Sequence, residues 1–112
     1  MVADATEIIQ KATNKTWNFD RVYSPVEDNR SIYADTAASM IESTISGFNA
    51  TIFAYGQTSS GKTHTMYGTP GDPGVIKSAV EQLFYAMEDT PNRRFLMLVS
   101  VSYHQECHDV IL

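Results

Sequence analysis

The sequence predicts an α/β fold built on a mostly parallel central sheet flanked by helices. Along the chain, apolar residues alternate between helical spacing and short β-branched or aromatic runs, which is the pattern of helices covering a parallel sheet. One such run, Thr51-Ile52-Phe53-Ala54-Tyr55, is apolar on both faces and leads directly into a glycine-bearing segment at 56–63. The size fits one globular unit at most, since 112 residues with 43% hydrophobic content can build a single core.

Residues 1–16 carry no firm period and are expected to form a weakly ordered lead, with a short strand at 7–10. In Trp17-Asn18-Phe19-Asp20-Arg21-Val22-Tyr23 the aromatics first recur at every second position, predicting a half-buried strand. Ser24-Pro25 and Glu27-Asp28-Asn29 supply turn chemistry and a helix start. Ile32, Ala37, Met40, Ile41 and Ile45 follow helical spacing, predicting a helix over 31–46 that Gly47 stops.

The run at 51–55 predicts a central parallel strand covered on both sides. A short helix is expected after it, through Met66, breaking at Gly68 before the loop Thr69-Pro70-Gly71-Asp72-Pro73-Gly74. Val80, Leu83, Phe84 and Met87 repeat at helical intervals and predict a helix over 76–87. Beyond Asp89-Thr90-Pro91-Asn92, residues 95–103 read as a second buried strand. Trp17, Phe19, Phe53, Phe84 and Phe95 are expected in the core, and Arg93-Arg94 in a solvated turn.

The segment Gly56, Gln57, Thr58, Ser59, Ser60, Gly61, Lys62 and Thr63 matches GxxxxGK[ST], the phosphate-binding P-loop. The glycines let the backbone curl so that its N–H groups converge on phosphate oxygens. Lys62 would reach the β- and γ-phosphates, and the Thr63 hydroxyl would ligate Mg²⁺. A strand before the loop and a helix after it are what this chemistry requires. These residues predict a partial P-loop NTPase fold that binds a nucleotide with Mg²⁺.

Composition removes other classes. Lys+Arg 8 against Asp+Glu 13 leaves a formal charge of −5, which argues against nucleic acid as a partner. No apolar run approaches the roughly 20 residues of a membrane helix, so no membrane partner is expected. The N-terminal residues carry no secretory pattern, and the single Cys107 forms no internal disulfide, as in a reducing compartment. His104, Cys107 and His108 cluster, but on a strand Cys107 faces away from the two histidines and no fourth ligand is near, so no zinc site is expected.

From Trp17 onward the chain resembles the kinesin motor domain. The resemblance rests on Phe19-Asp20-Arg21-Val22-Tyr23 and on Gly47-Phe48-Asn49-Ala50-Thr51-Ile52-Phe53-Ala54-Tyr55-Gly56-Gln57-Thr58-Ser59-Ser60-Gly61-Lys62-Thr63-His64-Thr65-Met66, continuing through Asp72-Pro73-Gly74-Val75-Ile76. It has features of the centromere-protein-E-like class. The resemblance implies ATP and Mg²⁺ as cofactors, bound at 56–63, with His64 against the adenine. It implies microtubules as the partner, a place on the cytoplasmic cytoskeleton, and a parent class that couples ATP hydrolysis to movement.

Departures qualify what is carried over. The family's Arg-x-Arg-Pro element is not found before Trp17, and its two switch segments, one holding the Mg²⁺-anchoring acid, are not among the 112 residues. Where the family has Ser-Tyr-x-Glu-Ile-Tyr-Asn-Glu, this chain has Ser102-Tyr103-His104-Gln105-Glu106-Cys107-His108-Asp109, and Lys77 replaces a usual proline. A track-binding face should be basic to meet an acidic microtubule, and this acidic chain lacks one. Residues 1–112 are therefore expected to be the N-terminal, P-loop part of a motor domain, without motility by themselves and with no catalytic residue assigned. The alternative is a non-catalytic nucleotide-binding or subunit-interaction remnant. Strands without neighbours would leave edges unpaired and prone to aggregation.

Overall fold

The structure, a computed structural model, describes residues 6–90 and 92–101. Its elements in chain order are β1 (Glu7–Gln10), β2 (Lys15–Asn18), α1 (Asn29–Thr36), α2 (Ala38–Ile45), α3 (Lys62–Tyr67), β3 (Gly68–Thr69), β4 (Asp72–Pro73) and α4 (Val75–Glu88). Four helices carry the packing, and the two sheets are small antiparallel hairpins.

The strand expected at 7–10 is present and pairs antiparallel with β2, Ile8 opposite Trp17 and Ile9 opposite Thr16. Asn14 closes the turn in the left-handed region at φ 54°, a conformation that asparagine tolerates better than most residues. The strand expected over 17–23 is shorter than the aromatic spacing suggested. β2 ends at Asn18, the Phe19 N–H still donates across to the Thr6 carbonyl at 2.8 Å, and beyond it Arg21 forms salt bridges with Asp35 at 2.8 Å and Glu27 at 3.5 Å.

Asp28 starts α1 by a local cap: its carboxylate accepts from the Ser31 backbone N–H at 2.9 Å and from the Ser31 hydroxyl at 2.7 Å. The single helix expected over 31–46 is two helices meeting at Ala37. The Thr36 hydroxyl donates to the Ile32 carbonyl at 2.6 Å, a back-bond that bends helices, while Ala37 is fully buried. The end of α2 behaves as the sequence predicted. Gly47 takes φ 104°, Gly47 N–H donates to Thr44 O and Phe48 N–H to Ser43 O, which is a Schellman motif.

α4 is the hub of the packing. It lies against α1, α2 and α3, and with them buries Ala37, Ile41, Val75 and Leu83. Gln82 ties the layers in polar fashion, accepting from the Tyr33 hydroxyl and donating to the Ala38 carbonyl at 3.3 Å. The Tyr33 hydroxyl is held above its usual pKa, first by burial and then by the charge of Glu42.

The parallel central sheet is not found among the described residues. Residues 51–55 and 95–101 carry no strand ladder, and 102–103, the rest of the second expected strand, lie outside the described residues. The physical reason is that a central strand is defined by hydrogen bonds to neighbours on both sides, and no described segment supplies them. The apolar side chains meant to face covering layers are exposed instead, Phe53 to 82% and Tyr55 to 95%. Trp17, Phe19 and Phe84 are likewise exposed rather than core, and Phe95 is half-buried.

Glu27 is held below its ordinary pKa of 4.5 chiefly by the Ser24 backbone N–H, and Asp28 below 3.8 chiefly by the Ser31 hydroxyl. Depressed carboxylates stabilise the fold above their unfolded pKa and lose that effect as pH falls through the folded value. The helical circular-dichroism signal is expected to hold at neutral pH and decline below about pH 4. Asp28→Asn, which keeps a capping oxygen but cannot titrate, should flatten part of that decline.

Candidate functional site

The glycine-bearing loop at 56–63 passes directly into α3, as the motif requires. Gly61 is the residue before the helix, with φ 91° and ψ 5°, a left-handed conformation that a side chain would disfavour. Ser59 also sits at φ 62°, and Ser60 N–H donates to Gln57 O at 3.2 Å, so the loop doubles back before the helix begins. A Cβ at Gly56 would stand 2.6 Å from Ser60 Oγ, leaving the inside of the curl to backbone.

Lys62 is the first residue of α3 and folds over this curl. Its ammonium donates to the Gly56 carbonyl at 2.5 Å and to the Gln57 carbonyl at 2.7 Å. Gly56, Gln57, Thr58, Ser59, Ser60, Gly61, Thr63 and His64 are exposed, while Lys62 is half-buried. The structure thus brings the loop and its lysine together. Thr63 and His64 occupy the first turn of α3, and no hydrogen bond of the His64 ring joins it to the loop.

The end of α3 is held by residues that the motif does not include. The loop at 69–74 is an ordered hairpin, with Gly68 paired to Pro73 and Thr69 to Asp72. Gly68 has φ 73°, and a Cβ there would meet Gly74 N at 2.2 Å; one at Gly74 would meet Met66 O at 2.4 Å. Two glycines therefore allow the hairpin to fold flat onto α3. Asn29, 2% exposed, donates from Nδ2 to the His64 carbonyl at 3.1 Å and to the Asp72 carbonyl at 3.3 Å. Its backbone N–H donates to the Asp72 carboxylate, at 3.0 Å to Oδ1.

The contact between Asn29 and Asp72 escaped the sequence reading, which took 69–74 as a loop and gave Asp72 no structural role. The one available signal was a helix-start cluster at 27–29, and it pointed to a local cap rather than to a contact 43 residues away. His104, Cys107 and His108 lie outside the described residues; among the described residues no His, Cys, Asp and Glu group could hold a metal ion.

With the loop, lysine and helix in place, the comparisons decide the family. The family model described as kinesin motor domain matches residues 2–110. The chain belongs to the kinesin family. Among similar proteins, Kinesin-like protein KIN-7K, chloroplastic, of Arabidopsis thaliana is 40% identical over 113 residues, covering 97% of this chain and 12% of the relative. Centromere-associated protein E of Homo sapiens is 45% identical over 97 residues, covering 87% of this chain and 4% of the relative. Kinesin-like protein KIN-7G of Oryza sativa subsp. japonica is 44% identical over 101 residues, covering 88% and 11%. The chain spans about an eighth or less of the length of these relatives.

Kinesin membership carries a P-loop NTPase-like α/β fold and a nucleotide-binding, cytoskeletal family. It bears out the resemblance read from 17–76, including its centromere-protein-E flavour. Among the described residues no helix is long and apolar enough to cross a membrane.

Three substitutions check the backbone geometry by thermal unfolding. Gly61→Ala should cost about 1–2 kcal/mol for forcing a side chain into a left-handed residue, whereas Gly71→Ala, with open space around its Cβ and ordinary φ, should cost little. Gly68→Ala combines positive φ with a backbone clash and should cost more than either, about 3 kcal/mol.

Proposed function

We propose that this chain is the ATP-binding, N-terminal part of a kinesin motor domain, spanning residues 1–112. Its parent protein couples ATP hydrolysis to movement along microtubules on the cytoplasmic cytoskeleton. The observation that carries the reading is Lys62 folded over the Gly56 and Gln57 carbonyls, at the start of the helix that follows a left-handed Gly61.

The residues fit a magnesium nucleotide. Gly56, Gln57, Thr58, Ser59, Ser60, Gly61, Lys62 and Thr63 would hold the phosphates, and the Thr63 hydroxyl the Mg²⁺. Bound Mg-ATP supplies the transferable γ-phosphoryl group and a metal that offsets its charge. Lys62 would exchange two neutral carbonyl acceptors for phosphate oxygens, and charge-assisted hydrogen bonds are roughly twice as strong as neutral ones. The exposed His64 offers a flat ring for the adenine.

The switch segments and the Mg²⁺-anchoring acid of the family are not among these 112 residues. The chain alone should therefore bind nucleotide without hydrolysing it at a useful rate, and without gripping a microtubule through an acidic surface. Isothermal calorimetry with Mg-ATP is expected to show saturable, Mg²⁺-dependent heat that Lys62→Ala abolishes. Microtubule-stimulated phosphate release from the purified chain, lost in Lys62→Ala, would overturn the non-hydrolytic part of this reading.

A further inference from the structure

We propose that Asn29 is a positioning residue for the nucleotide loop, acting through the His64 carbonyl and Asp72; this rests on the reading of 56–63 as an ATP site. α3 has only six residues, so the carbonyls of its last four positions have no partner within the helix. His64 O is one of them, and it accepts from Asn29 Nδ2 at 3.1 Å. A second orphan, Tyr67 O, accepts from Gly74 N–H at 3.2 Å, where the hairpin rejoins α4. The end of α3 is thus closed from outside by α1 and by the β3–β4 hairpin.

The reciprocal bond closes the start of α1. Asn29 N–H is among that helix's orphan donors, and it donates to the Asp72 carboxylate while Asn29 Nδ2 also reaches the Asp72 carbonyl. One side chain therefore fixes α3 against α1 and against the hairpin. At 2% exposure Asn29 is the most buried polar side chain among the described residues, so water cannot replace its bonds cheaply.

The consequence for the loop follows from connectivity. Lys62, Thr63 and His64 are consecutive residues at the start of α3, and the buried polar tie nearest to them is the His64 carbonyl held by Asn29. Without it α3 keeps its helical bonds, its packing on α4 and the Tyr67–Gly74 bond, but its first turn loses its tie to α1, which loosens the placement of the Lys62 ammonium and the Thr63 hydroxyl. Placement errors of a fraction of an ångström to 1 Å weaken binding of a multidentate ligand steeply.

The test uses the 112-residue chain with Mg-ATP as the calorimetric probe and thermal unfolding beside it. Asn29→Ala is expected to weaken Mg-ATP binding on the order of tenfold. Gln82→Ala, which cuts a polar tie between α2 and α4 away from the loop, should lower thermal stability and leave the affinity unchanged. That contrast separates positioning from a general loss of packing. Asn29→Ser supplies the second variant, because it is small enough to fit, keeps a hydroxyl donor and should fall between wild type and Asn29→Ala. Equal affinity in wild type and in Asn29→Ala would overturn the proposal alone, as would an Asn29→Ser variant no tighter than Asn29→Ala or equal weakening by Gln82→Ala. Absence of saturable binding in the unsubstituted chain would overturn both the proposal and the ATP reading beneath it.

Discussion

A single buried amide joins three elements of this structure. Asn29 stands where α1, the end of α3 and the 68–73 hairpin converge, and each of these elements is too short to satisfy its own backbone. An α-helix leaves four N–H and four C=O groups unpaired at its ends, so in a six-residue helix most of the backbone depends on outside partners. Here the partners are exchanged: Asn29 takes a carbonyl from α3, and Asp72 takes an amide from α1. The loop at 56–63 runs directly into α3, so it lies next to the same exchange.

Around that exchange the apolar packing is thin. Among the described residues the buried hydrophobic side chains are Ala37, Ile41, Val75 and Leu83, on α2, α4 and the junction of α1 with α2. Polar ties do an unusual share of the alignment, with Gln82 joining Tyr33 to Ala38 and Arg21 joining Asp35 to Glu27. Meanwhile the large apolar side chains of Phe53, Tyr55, Leu96 and Leu98 contribute almost nothing, because they stand in solvent. The helices thus form the ordered body, and the two segments with the strongest strand patterning add no packing.

Glycine placement shows how local chemistry and tertiary contact divide the labour. Gly47 ends α2 by a Schellman motif, a purely local event readable from the residues around it. Gly61 turns the loop into α3 by adopting a conformation that other residues resist. Gly68 and Gly74 serve a different need, since a Cβ on either would run into backbone from the far side of the hairpin. Gly47, Gly61 and, as the stop of α3, Gly68 could be reasoned from the sequence; the need for no side chain at Gly68 and Gly74 is explained by the close approach of hairpin and helix end.

Much was legible without coordinates. Helical periodicity placed α4 and, as one helix rather than two, the span of α1 and α2; the cluster at 27–29 marked a helix start, and the GxxxxGK[ST] spacing together with its flanking Phe-Ala-Tyr-Gly-Gln-Thr lead marked the loop, the short helix after it and the kinesin family. These signals work because they are short-range: a cap, a turn or a phosphate cradle is specified by residues a few positions apart. The central strand at 51–55, the strand at 95–103 and the aromatic core were read from side-chain pattern, yet a strand is a property of its neighbours, and no described segment pairs with these. Only the tertiary structure revealed the Asn29–His64–Asp72 exchange, because it joins residues 35 and 43 positions apart. By itself the sequence determined where the chain curls, caps and stops. Which of its helix ends would satisfy one another was decided in three dimensions, where the unpaired groups meet.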